Sequence, residues 1–232
     1  MSKWVWVALG LATTILGLIA MAGQAFAGGQ PWDGELSDNL IFAKSIPFSI
    51  GFGVLIGALR ATVQPAQRSA SGAVRRFSPG TAAGHWIGAG GLMLALLTGS
   101  WQYLGGVLEV NAPLPLYFFY RAHFIGATLL LFSIGNFVTH WLLVGDTSLL
   151  VPKGLWLRHV RGLAHEAPSG VGSVIGDVFG LDMKRTPPPV EQFTYYEKVV
   201  SFPTWAALIA LITATGLLKA MRYVYPIPGD VL

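Results

Sequence analysis

Residues 84–106 read GHWIGAGGLMLALLTGSWQYLGG, and residues 120–143 read YRAHFIGATLLLFSIGNFVTHWLL. Each run exceeds the roughly 20 residues that cross a bilayer core at about 1.5 Å per residue. Both are therefore expected to be membrane helices, and a histidine stands at three of their four ends: His85, His123 and His140. An imidazole in lipid without a polar partner is costly, so its presence in a span points to function.

Composition supports the membrane class. The chain is 53% hydrophobic and only 11% charged, with mean hydropathy +0.57; soluble domains carry about 25% charged residues. The 29 glycines suit helices that approach one another, or a flat cofactor, closely. There is no cysteine, which excludes disulfides, thiolate-ligated clusters and covalently attached haem. The net charge of +4 implies no nucleic-acid partner, because the basic residues gather in two loops as membrane topology requires.

The expected fold is an all-α, polytopic membrane bundle of about five transmembrane helices. Residues 1–60 form an N-terminal hairpin. Its first run, 4–27, ends in Ala25-Phe26-Ala27, which resembles a secretory cleavage site; its length favours a retained helix. The second span covers about 45–59, or begins nearer Leu40, with Pro47 near its start, where a helix tolerates proline. The third and fourth spans cover about 84–107 and 118–144, and the fifth about 199–221. Residues 77–232 are read as the functional bundle, interrupted by a polar loop at 145–198. The loops at 60–84 and 145–198 are basic, whereas 28–40 and 108–118 are not, so the N-terminus is expected in the cytoplasm and the C-terminus outside.

This topology puts His85 and His140 at one level on antiparallel neighbours, with His123 near the outer face. Neutral imidazole is the standard nitrogen donor to haem iron. Two such groups facing across a gap one porphyrin wide would hold a b-type haem by side-chain ligation alone. Gly84, Gly88, Gly90 and Gly91 on one helix, and Gly126 and Gly135 on the other, are read as clearing that gap. His123 and His140 lie 17 residues apart, which is about 25 Å along a helix and roughly 100° around it. One haem is expected, or two with one per leaflet. Arg121 is either a partner for a haem propionate or a snorkelling interfacial residue. His159 and His165, in LWLRHVRGLAHEA, read as interfacial positions on an amphipathic or docking segment.

The GHWIGA…LLTG opening, the RAHFIGA…VTHWLL helix and the YYEKVVSFPTWAALIALITATGLLKAMRY segment resemble the di-haem cytochrome b membrane subunits of the formate dehydrogenase gamma type. The resemblance covers roughly residues 77–226. It implies a four-helix membrane anchor passing electrons between a peripheral redox subunit and the quinone pool. It further implies that His85 and His140 ligate the haem nearer the cytoplasm and His123 one side of the outer haem. The family has a further core helix bearing another ligand, and this chain lacks it, so His123 is expected to find its partner on a second subunit or to hold no haem.

No Ser-His-Asp set, Walker loop or metalloprotease motif occurs. No carboxylate falls within the cores of spans three to five, which disfavours a proton-coupled transporter. The function expected from residues and resemblance is a non-catalytic electron-transfer subunit of an oxidoreductase complex in the inner membrane, with other subunits and quinone as partners. The rival is a haem-free anchor or assembly subunit of such a complex.

Overall fold

The computed structural model describes residues 2–26, 34–63, 78–110, 114–145, 150–151, 154–157, 159–160 and 193–221; at 23–26, 34–41 and 116 it describes the backbone alone. The basic-loop residues Arg68, Arg75, Arg76 and His165 lie outside this set. The protein is 90% helical with no strand among the described residues. Five helices are long and apolar enough to cross a membrane. They are α1 (Lys3–Phe26), α2 (Gly34–Val63), α3 (Pro79–Val107), α4 (Leu116–Val144) and α5 (Phe202–Met221).

In the unit formed by residues 1–145 and 216–232, the packing is serial: α1 lies on α2, α2 on α4, and α4 on α3. Small residues make each seam. On α1, a side chain at Gly10 or Gly17 would strike Leu55 or Phe48 of α2, and one at Gly51 would strike Thr13 and Thr14. Gly53 and Gly57 of α2 lie against the backbone of Phe132 and Asn136 in α4. Lipid tails are as apolar as leucine side chains, so this close backbone approach, and not a hydrophobic drive, holds such helices together.

The ends follow local chemistry. Ser78 caps α3, its hydroxyl accepting from the Thr81 amide at 3.2 Å, and Pro79 fills the first position. Gly145 closes α4 with φ 68°, a left-handed turn that glycine adopts at little cost. The Lys3 ammonium donates to the Ala61 carbonyl at 2.7 Å, covering an otherwise open acceptor in the last turn of α2. Pro47 departs from expectation: α2 starts eleven residues before the expected span, at Gly34, so the proline is interior. Ser45 and Ser49 flank it and donate back to the Phe42 and Ser45 carbonyls at 2.7 and 2.9 Å.

Residues 146–215 form a second compact unit. Thr194 and Glu197 make a reciprocal capping box, with the Thr194 amide donating to Glu197 Oε2 at 2.8 Å and the Glu197 amide to Thr194 Oγ1 at 3.1 Å. A π turn, Glu197–Ser201, leads from it into α5. Along α5 the large apolar residues Trp205, Leu208, Leu211 and Leu218 are exposed, as lipid-facing side chains are.

Candidate functional site: the imidazoles and polar joint of α3 and α4

α3 meets α4 through Gly84, Gly88, Gly91, Ala95 and Thr98. A Cβ at Gly84 would meet Asn136 Nδ2 at 2.7 Å, one at Gly88 would meet Ser133 at 2.9 Å, and one at Gly91 would meet the Gly126 carbonyl at 2.8 Å. Ser133 Oγ adds a buried bond to the Gly84 carbonyl at 3.1 Å. This corrects the role expected of the glycines. Gly84 and Gly88 receive the Asn136, Phe137 and Ser133 side chains and Gly91 and Gly126 bring backbone against backbone, so this row leaves no gap one porphyrin wide, while Gly135 serves the α2 seam, against Ile50. Only Gly90 of the group opens onto free space.

His85 therefore lies about a quarter turn from the α4-facing row and is exposed, its ring edge-on to Trp86 at 5.5 Å. His140 stands one turn beyond Asn136, half-buried, with its Nδ1 enclosed. Both sit at the same end of the pair, as topology predicts, because Gly84 touches Asn136. By helix phase His140 falls within about 20° of Ser133, on the α3-facing side of α4, whereas His85 is turned about 100° from Gly84 on α3.

His123 is the most constrained of the three. Its Nδ1 is 2.9 Å from the Ala95 carbonyl and 3.4 Å from Thr98 Oγ1, across the α3–α4 seam. A carbonyl only accepts, so Nδ1 carries the proton and Nε2 the lone pair. The ring lies over Gly99, where a Cβ would meet Cε1 at 3.1 Å and Nδ1 at 3.3 Å. At about 100° per residue on two antiparallel helices, His123 and His85 fall on the same side of the α3–α4 pair, about 20 Å apart along it. Neither His85 nor Nε2 of His123 has a hydrogen bond among the described residues. Arg121, exposed at the His123 end, lies over the Tyr117 ring at 5.4 Å, a cation–π contact.

The polar joint at the other end went unread in the sequence. Arg60, in the last turn of α2, sends Nη1 to Asn136 Oδ1 and Nη2 to Thr81 Oγ1, each at 2.8 Å. One guanidinium thus ties three helices, and Asn136 is only 2% exposed. An arginine closing a span reads from sequence as a topology signal; the buried Asn136 on the fourth span was the available clue to a partner. In the second unit His159 is buried. Its Nδ1 donates to the Leu155 carbonyl at 2.9 Å and its ring packs edge-on to Tyr195 at 5.2 Å.

Five spanning helices with small-residue seams define a multi-pass helical membrane protein. No family model, curated protein or solved structure matches the chain. Among the described residues no group of three or more His, Cys, Asp or Glu gathers for a metal ion. A haem iron asks less: one nitrogen from each side. His123, with Nδ1 anchored and Nε2 open, and the exposed His85 would each be able to supply one such nitrogen.

Proposed function

We propose that this chain is the membrane-embedded b-type cytochrome subunit of an inner-membrane electron-transfer complex, exchanging electrons between a partner redox subunit and the quinone pool or another carrier. The observation that carries the reading is His123. A backbone carbonyl holds its Nδ1–H and leaves Nε2 as a bare donor, the arrangement in which ligating histidines are oriented and made more basic. His85, on the same side near the opposite end, supplies a second open imidazole, so one centre or two would lie along one flank. Arg121, two residues before His123, would be the cation available to a propionate at that end. Bound haem supplies one-electron iron chemistry; the chain's residues hold it, orient it and set its surroundings.

The test is the dithionite-reduced absorption spectrum of the protein purified with its native partners. Bis-imidazole α and Soret bands are expected. They should diminish in His123→Ala and His85→Ala while the variants remain membrane-inserted; His140→Ala asks whether the third imidazole takes part. A colourless preparation, even after haem is offered, would sink the cytochrome reading. It would leave the second reading, a haem-free anchor of such a complex, which the direct packing of α3 on α4 favours.

A further inference from the structure

We infer that Ala95, Thr98 and Gly99 of α3 form a seat that fixes the tautomer and orientation of His123, so that α3 determines which nitrogen α4 offers to a ligand. The inference deepens the cytochrome reading where it concerns iron, but the seat itself does not require haem.

Three contacts build it. The Ala95 carbonyl takes the Nδ1 proton at 2.9 Å. Ala95 lies one turn before Gly99, so the Nδ1–Cε1 edge of the ring is held against this turn of α3. Thr98 Oγ1 sits 3.4 Å from the same nitrogen while donating to the Leu94 carbonyl at 2.6 Å. Its own proton is thus committed backward along the helix, and the lone pairs face the imidazole N–H. That hydroxyl polarity matches an Nδ1–H and disfavours a bare Nδ1. Gly99 supplies the space: a methyl there would press on Cε1 at 3.1 Å and Nδ1 at 3.3 Å, closer than most carbon contacts. Gly99 is therefore a positioning residue, and so is Thr98. The ligand class that Nε2 can then take is restricted to acceptors of a nitrogen lone pair, namely a metal centre or a hydrogen-bond donor.

The experiment is nitrogen NMR of the full chain in lipid nanodiscs, with ring-labelled histidine and without added haem, His123 being assigned by its disappearance in His123→Gln. The expected spectrum has a protonated Nδ1 and an unprotonated Nε2. Gly99→Ala should shift both signals or mix in the other tautomer. Gly90→Ala, whose added carbon meets nothing within 4 Å, should leave them in place. Thr98→Val should weaken the lock, and Thr98→Ser should restore it. A proton on Nε2 in the parent protein, or identical His123 signals in Gly99→Ala and the parent, overturns the seat. In haem-loaded protein, Gly99→Ala should also move the α band while Gly90→Ala does not. A locked tautomer in a protein that never binds haem would sustain the seat and defeat the cytochrome reading, so the two fail separately.

Discussion

At the scale of single residues, Arg60, His123 and Ser133 bond polar groups across helices. Arg60 is the clearest case, and it predicts an outcome. Arg60→Leu removes two bonds from a charged donor and strands the buried Asn136 oxygen, a loss of about 1.5–3 kcal/mol. Arg60→Lys should retain only part of that, because an ammonium lacks the planar fork that reaches Asn136 and Thr81 together. Thermal unfolding in detergent checks both, and equal melting temperatures for parent and Arg60→Leu would show that the joint contributes nothing. His85→Ala should differ from the parent by no more than about 0.5 kcal/mol, as exposed substitutions do, so any haem lost with it cannot be blamed on unfolding. The three span-end histidines were legible because imidazole is rare in lipid. Which direction each ring takes was not, since rotation about a helix depends on which neighbour it packs against. The same holds for Arg60, whose long side chain reaches inward or outward with equal ease.

At the scale of elements, the seams are set by absence of side chain. Gly53→Ala places a carbon against the Phe132 carbonyl, and Gly91→Ala one against the Gly126 carbonyl. Each should cost about 1–3 kcal/mol as overpacking. Gly90→Ala should be neutral or gain up to about 1 kcal/mol, the ordinary helix preference for alanine over glycine. The comparison is made by melting the three variants side by side, and a ranking with Gly90→Ala as the worst would refute the seam geometry. Helix existence and type were plain from hydropathy: α1, α3, α4 and α5 lie within a few residues of their expected bounds, α3 beginning five residues early because Ser78 caps it. The start of α2 was hidden by the polar run ahead of Leu40, which folds into the same helix. Glycine content alone could not say whether the clearings were meant for a cofactor or for a neighbouring backbone, because both demand the same missing carbon.

At the scale of the whole molecule, five helices long enough to span a membrane would, if each crosses once, put the termini on opposite sides. We propose from the charge asymmetry of the loops that the N-terminus is the cytoplasmic one. A reporter active only in the cytoplasm, fused in turn to each end, should give signal at the N-terminus and none at the C-terminus. Signal at both ends would remove one span from the count, and the reverse pattern would invert the assignment.

The serial order α1, α2, α4, α3 has a mechanical corollary. A push applied at the α1 edge must cross the α1–α2 contact and then either the α2–α4 and α4–α3 contacts or the Arg60 link to Thr81 before it disturbs α3. The same push on α3 moves the floor beneath His123 at once. A protein that docks against the first helix would therefore anchor this chain quietly, whereas one that leans on the third would retune its chemistry.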